Sequence, residues 1–103
     1  MGSRAKFVGD EITIRSDKLE LAMRYAGIVH RWVDRTRLEG IRVMGPAVAP
    51  LSRIKRDYRF HFILKSASRE RLNATLRALV VNAVAEDVAR TSIIVDVDPQ
   101  SLM

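Results

Sequence analysis

The chain of 103 residues has no cysteine and few aromatic residues, which make up 6% of the sequence. Without cysteine it can form neither a disulfide framework nor a thiolate zinc site, which fits a reducing, cytoplasmic setting. No apolar run approaches the roughly 18 residues that a membrane span needs, so we expect no membrane partner. No Gly-Lys-Ser or Gly-Lys-Thr triplet occurs, which leaves the chain without a phosphate-cradling loop.

The histidines and the aspartates near the C-terminal end give little indication of chemistry. His30 and His61 share no metal-ligand spacing with each other or with carboxylates, so we interpret both as structural or surface residues. Asp96 and Asp98 lie two apart on a predicted strand and are spaced to hold magnesium, but a turn cap or pairing with arginines is the interpretation we favour. We therefore expect no enzymatic activity from this chain alone, no metal and no cofactor.

Positive charge is in excess and is unevenly distributed. The net charge is +6, and eight cations but only three carboxylates fall between Arg31 and Arg59. Such a patch attracts polyanions, acidic protein tails or anionic lipid alike. The alternative is a solvated face with no partner.

The most informative stretch is residues 41–65, in which a basic loop joins two strand-like runs. Apolar residues alternate with polar ones over Ile41–Met44 and again over Tyr58–Ser66, a period typical of strands with one face in a core. Gly45-Pro46 is predicted to end the first run, because proline lacks a backbone donor. The segment between the runs is predicted to be a proline-stiffened hairpin loop with cations at its base.

A strand over residues 7–16 is predicted to precede the first helix. Asp17 is the expected N-cap, and Glu20, three residues on, completes a capping box. Gly40 is the expected stop of this helix. Trp32 falls one step off the apolar stripe and is interpreted as an anchor at the edge of the core. The stripe expected to face inward is Leu19, Met23, Ala26, Val29 or His30, and Val33.

The second helix is predicted to follow the N-cap Ser68 and to end near residues 88–90. A last strand is predicted over residues 92–97, where Asp98-Pro99 closes it. The inward stripe of this helix is Leu72, Leu76, Leu79 and Ala83.

The element order is β-α-β-β-α-β, which is typical of the split βαβ arrangement. We therefore predict an α+β, ferredoxin-like fold, in which two helices cover one face of a four-stranded antiparallel sheet and the first and third strands are central. We expect a single domain over residues 7–103, with residues 1–6 a tag remnant or a disordered start.

One face of this sheet should be open and basic. The face expected under the helices carries Ile12, Ile14, Val43, Phe60 and Phe62. The open face would then carry Thr13, Arg15, Arg42, Arg59, His61 and Lys65. Open basic sheet faces are used to bind nucleic acid, and a docking surface for a neighbouring domain is the alternative. The expected face lacks the stacking aromatic residues of a sequence-specific RNA-binding sheet.

Two separated motifs resemble one protein family. Residues 41–51, followed by Arg53, Ile54 and Tyr58-Arg59-Phe60, resemble the GPAPAP…YRW segment of the bacterial replication-restart helicase PriA (primosomal protein N′). Residues 96–102, DVDPQSL, resemble the C-terminal end of the same family. The resemblance implies the C-terminal domain alone, because the motor and zinc-binding cysteines of the family have no counterpart here. It also implies a fold similar to that of the tenth protein of the small ribosomal subunit.

The resemblance implies an accessory, non-catalytic domain of an ATP-dependent 3′-5′ DNA helicase that acts in replication restart and the primosome. Its implied partners are forked or single-stranded DNA, the helicase core of the parent protein, and the acidic tail of single-stranded DNA-binding protein. Arg69 matches an arginine of the family, and Asn73 stands where the family can carry glutamine; both are expected to contact that tail.

Arginine and lysine side chains suit phosphate groups and give affinity without sequence choice. The expected contacts to DNA are Arg42, Arg53, Lys55, Arg56 and Arg59. We expect a monomer. The alternatives are an intramolecular docking module for the helicase core and a ribosomal-protein-like RNA-binding domain, and the DVDPQSL ending disfavours the second.

Overall fold

In the computed structural model, which describes residues 7–48 and 56–97, four strands form one antiparallel sheet in the order β2-β3-β1-β4. The strands are β1 (Val8–Ser16), β2 (Arg42–Val48), β3 (Tyr58–Ser66) and β4 (Ile93–Asp96). The helices are α1 (Leu19–Thr36) and α2 (Arg69–Ala85), and a 3-10 turn over Arg90–Ser92 leads into β4. The predicted ferredoxin-like fold, with β1 and β3 in the centre, is confirmed.

The core lies between the two helices and one face of the sheet. Side chains alternate between the two faces of a strand, and the register places Ile12 opposite Phe62 on the same face. Both side chains are fully buried, and they pack with residues of α1 and α2. Val43 and Phe60, also predicted on this face, are half-buried against the core.

The start of α1 differs from the prediction. The helix begins at Leu19 with Lys18 at its N-cap, and no side chain caps it. The prediction of a capping box formed by Asp17 and Glu20 is therefore wrong. The Lys18 amide instead donates to the hydroxyl of Ser16 at 3.1 Å. This turn keeps Asp17 outside the helix, where its carboxylate does not cap the amides of the first turn.

The buried stripe of α1 is also rotated from the predicted one. Ala26 and Val29 are buried as expected, but Leu19 and Met23 are 46% and 57% exposed. Small residues such as Ala26 let a helix backbone approach a sheet closely, which leaves the bulkier neighbours outside. The residues of α1 that are buried are Ala22, Ala26, Ile28, Val29 and Trp32. The helix ends at Thr36 before Arg37, whose backbone is left-handed (φ 52°), rather than at Gly40.

The prediction for α2 is confirmed along its buried face and at its start. Leu72, Leu76, Leu79 and Ala83 are all buried, and the Ser68 hydroxyl accepts from the Arg71 amide at 3.1 Å. The C-terminal end comes earlier than predicted, at Ala85.

A Schellman motif ends α2. The Val88 amide donates to the Ala83 carbonyl and the Asp87 amide to the Val84 carbonyl, while Asp87 takes the left-handed conformation at φ 71°. Glycine usually occupies that position, so the sequence offered no stop signal there. Val88 then turns back into the core, where it is 2% exposed.

Strand β2 does not end at Gly45-Pro46 as predicted but continues to Val48. Pairing with β3 runs from Met44 opposite Ile63 to Ala47 opposite His61, so β2 contains one extra residue, as a β-bulge does. Gly45 has φ 116°, and a Cβ there would lie 2.5 Å from the His61 carbonyl oxygen. The Gly45-Pro46 peptide is cis, and proline is tolerated because β2 is an edge strand.

Neither of the helices described over 7–48 and 56–97 is long and apolar enough to cross a membrane.

Candidate nucleic-acid interface

The sheet face that the helices leave open is divided into a basic half and an acidic half. On the β2–β3 side, Arg42 lies directly opposite Lys65. On the β1–β4 side, Glu11 lies directly opposite Asp96. Alternation along the strands places all four side chains on the face away from Ile12. The register thus places the cationic pair and the acidic pair on different halves of one surface.

The Arg42–Lys65 pair consists of two exposed cations. Neither forms an ion pair with a carboxylate in the described part of the chain. Like charges directly opposite each other in an antiparallel pair destabilise the sheet. The pair is therefore a site where an external anion would relieve a repulsion.

Arg59 and Arg15 lie opposite each other near the other end of β3. Arg15 has protein partners: its Nη1 lies 3.2 Å from Asp57 Oδ2, and its Nε donates to the Thr91 carbonyl at 3.2 Å. Arg59 is half-buried, and its Nε is buried without a hydrogen-bond partner among the described residues. An unsatisfied buried donor is unfavourable, but a buried Nε is closed to an external acceptor, so a phosphate contact of Arg59 would involve the other nitrogens of its guanidinium group.

Arg56 precedes β3 and is exposed, with a left-handed backbone at φ 57°. It makes no ion pair within residues 7–48 and 56–97. Arg53 and Lys55 lie outside the described residues.

The cations expected to contact DNA do not form one patch. Because β2 and β3 are antiparallel, Arg42 at the start of β2 lies beside Lys65 near the end of β3. Lys65 lies six residue steps after Arg59 in β3, a distance of roughly 20 Å along the strand. Arg42 is thus at one end of the open face and Arg59 is at the other, and Arg56 precedes β3 at the Arg59 end.

A polar cluster lies between the two charged halves. His61 Nδ1 is 3.2 Å from Glu11 Oε2 and 3.1 Å from Thr13 Oγ1. Glu11 and Thr13 thus both lie within reach of the same ring nitrogen, whose donor or acceptor role depends on the imidazole tautomer. Thr13 is 4% exposed. His61 therefore has protein partners, in agreement with its interpretation as a structural residue.

Two apolar side chains lie along the basic half of the face. Met44 and Ile63 are opposite each other, one step along from the Arg42–Lys65 pair in the strand alternation. They are 38% and 37% exposed. This half of the face therefore combines cations with a half-exposed apolar pair.

Arg69 occupies a different environment, on the helix side of the sheet. Its Nη1 and Nη2 donate to the two carboxylate oxygens of Asp10 at 2.7 and 3.1 Å. The Asp10 side chain is fully buried and that of Arg69 is 31% exposed. Nη1 also donates to Asn73 Oδ1 at 3.2 Å. The two residues expected to hold an acidic tail are thus adjacent, and Arg69 is oriented by a buried carboxylate.

Asp10 was missed by the sequence analysis, although a signal was present. It stands two residues before Ile12, and period-two alternation assigns it to the buried face. A carboxylate there needs a cationic partner, which Arg69 supplies. Glu11 and Asp96 were not recognised as the acidic half of the open face, since their opposition depends on strand register.

In the part of the chain that the structure describes, no group of three or more histidine, aspartate or glutamate side chains is arranged to hold a metal ion. Asp98, one of the two candidate magnesium ligands, lies outside that part. Asp96 is opposite Glu11 on β1.

Comparisons with known proteins support the fold and identify a family. The model of the primosomal protein N C-terminal domain family matches residues 11–100. A search of curated proteins found no match. Among solved structures, the de novo designed protein Foldit4 is similar with a TM-score of 0.55 and 20% identity, over 89% of this chain and 93% of that one. At that identity the likeness concerns the fold alone.

Proposed function

The chain belongs to the primosomal protein N C-terminal domain family, and from that premise we propose that it binds forked or single-stranded DNA through the phosphate backbone. It is an accessory domain of a primosomal protein, and the proposal assigns it to replication restart in the cytoplasm. The observation that carries the proposal is the exposed basic half of the open sheet face. Arg42 and Arg56 have no carboxylate partner there among the described residues.

The chemistry of these side chains supports backbone contacts. A guanidinium group binds phosphate oxygens with two parallel hydrogen bonds, and contacts to phosphate fix position without reading sequence. Arg42 and Arg59 carry such groups at the two ends of the face, and Arg56 carries one just before β3. In the proposal, Arg53 and Lys55, which lie between β2 and β3 in the sequence, add further contacts to phosphate.

A fluorescence-anisotropy titration with forked and single-stranded DNA tests the proposal. We expect binding that weakens steeply with salt, because each phosphate contact releases counterions. Changing Arg53, Lys55 and Arg56 together to alanine should lower the affinity and flatten the salt dependence without unfolding the domain. Absence of binding at low salt would contradict the proposal for this chain.

We further propose that Arg69 and Asn73 help to hold the acidic tail of single-stranded DNA-binding protein. The 3.2 Å contact between Arg69 Nη1 and Asn73 Oδ1 supports a common site, and Asp10 fixes the direction of the guanidinium group. Arginine binds a carboxylate with two hydrogen bonds where lysine offers a point charge.

Calorimetry with an acidic, phenylalanine-ended peptide tests this second site. Arg69→Lys keeps a cation beside Asp10 but removes the planar fork, so peptide affinity should fall. Arg77→Lys makes the same change at an exposed position of α2 and should leave the affinity unaltered. Equal peptide affinity of both variants and the original chain would contradict the assignment of Arg69 to the peptide site. If neither DNA nor peptide binds, docking on the helicase core becomes the favoured function of these surfaces.

A further inference from the structure

We infer that the basic half of the open face is a track for single-stranded rather than duplex DNA, running along β3 from the Arg42–Lys65 pair to Arg59. This inference rests on the proposed DNA-binding function and adds a path and a strand preference to it. The juxtaposition that carries it is the apolar Met44–Ile63 pair lying between cations.

The distribution of charge on the open face sets the direction of the track. Cations are present at both ends of β3, whereas Glu11 and Asp96 oppose each other on the β1–β4 half. Glu11 on β1 lies one interstrand spacing from β3, and Asp96 on β4 lies two spacings away, a distance of about 10 Å. That is about one Debye length at 0.1 M salt, so at low salt the acidic half repels phosphates from crossing the sheet. The favourable path therefore follows β3.

The exposed apolar pair on the track favours a single strand over a duplex. Met44 and Ile63 are each more than one-third exposed and lie between Lys65 and Arg59. A duplex keeps its bases stacked inside and presents phosphates and sugars to a flat surface. A single strand offers unstacked bases, whose faces can cover apolar side chains. The apolar pair therefore contributes to the binding of a single strand and adds nothing for a duplex.

The number of phosphate contacts determines how steeply the affinity depends on salt. Each cation that neutralises a phosphate of a single strand contributes about 0.7 to the slope of log K against log salt. Relative to 1 M salt, this corresponds to about an eightfold gain in affinity per contact at 50 mM. Lys65, to which the proposed function assigns no contact, should therefore be as important as Arg42.

The test measures the affinity of the chain for oligothymidylates of about 4 to 20 nucleotides and for a matched duplex. Lys65→Gln should lower single-strand affinity about eightfold at 50 mM salt and reduce the salt slope by about 0.7. Arg77→Gln removes the same charge from an exposed position of α2 and should have little effect on either.

The strand preference is tested with Ile63→Thr, which keeps a β-branched side chain in the strand. It should lower single-strand affinity roughly fivefold, through lost apolar burial, and leave the salt slope and duplex affinity unaltered. Met44→Gln, which preserves side-chain length, should behave similarly, and urea unfolding of both variants checks that the fold is retained.

The outcomes separate the inference from the proposed function. If the original chain binds no DNA, both are overturned. If it binds DNA, but Lys65→Gln resembles Arg77→Gln, the track is wrong while the proposed function stands. If Ile63→Thr and Met44→Gln weaken duplex and single-strand binding equally, the single-strand preference is wrong. Selective loss of single-strand binding supports the inference.

Discussion

Arg69 and the Arg42–Lys65 pair lie near the same end of the sheet but on opposite faces, and they differ in their partners. Arg69 holds both carboxylate oxygens of the buried Asp10. Arg42 and Lys65 are exposed and form no ion pair with the described residues. A cation with a buried partner contributes to the fold, whereas a cation opposite another cation is poised for an external anion. Charge alone does not separate the two roles.

The largest expected effect breaks the Arg69–Asp10 pair. Arg69→Ala removes the guanidinium group that donates to both oxygens of the buried Asp10 carboxylate, which should lower the free energy of unfolding by about 3 kcal/mol. This is the lower end of the usual range, because Arg69 is 31% exposed. Arg42→Ala, its exposed counterpart, should change it by less than about 0.5 kcal/mol. Urea denaturation measures both.

A second substitution distinguishes a lost ion pair from lost packing. Asp10→Asn in the Arg69→Ala background removes the buried charge, so part of the stability should return. No recovery would contradict the ion-pair explanation. The same result matters for the tail site, since weak peptide binding by Arg69→Ala is ambiguous when the variant is partly unfolded.

The next effect concerns the open face. Gly45→Ala would place a Cβ 2.5 Å from the His61 carbonyl oxygen at φ 116°, which should destabilise the β2 edge by about 2 kcal/mol. DNA affinity should fall with it, because Arg42 and Met44 are carried by this strand. Gly9→Ala is the matched control, since its Cβ would meet Lys65 Cγ at an ordinary 3.4 Å. Equal stability of the two variants would contradict the steric account of the bulge.

The smallest effect concerns the cap of the helix that carries Arg69. Ser68→Ala removes the acceptor for the Arg71 amide and should lower the free energy of unfolding by about 1 kcal/mol. Asp17→Ala should change it by less than about 0.5 kcal/mol, since no side chain caps α1. Thermal or urea unfolding compares them, and a larger loss for Asp17→Ala would mean that it does cap α1 in solution.

Much of the fold could be predicted from local pattern. The alternation in β3 and the stripe of α2 identified Phe62 and Leu72 as core residues, and Ser68 was recognised as a cap. The errors fall where packing overrides pattern. Ala26 faces the sheet and Met23 does not, and Asp87 adopts a conformation for which glycine is the usual signal.

The candidate site was predictable residue by residue but not as an arrangement. The cations Arg42 and Arg59 were both assigned to the open face. That Arg42 meets Lys65, while Arg59 is opposite Arg15, follows from antiparallel register, which sequence spacing does not give. The acidic half was missed for the same reason.

The order of the elements, the membership of the family and the excess of positive charge can be predicted without coordinates, because they depend on local periodicity, short motifs and composition. Which charges are paired depends instead on the folded arrangement. Asp10 and Arg69 are 59 residues apart in the chain, and an ion pair at that separation depends on how β1 and α2 pack. Whether an arginine supports the fold or remains open to a partner is therefore a property of the packing.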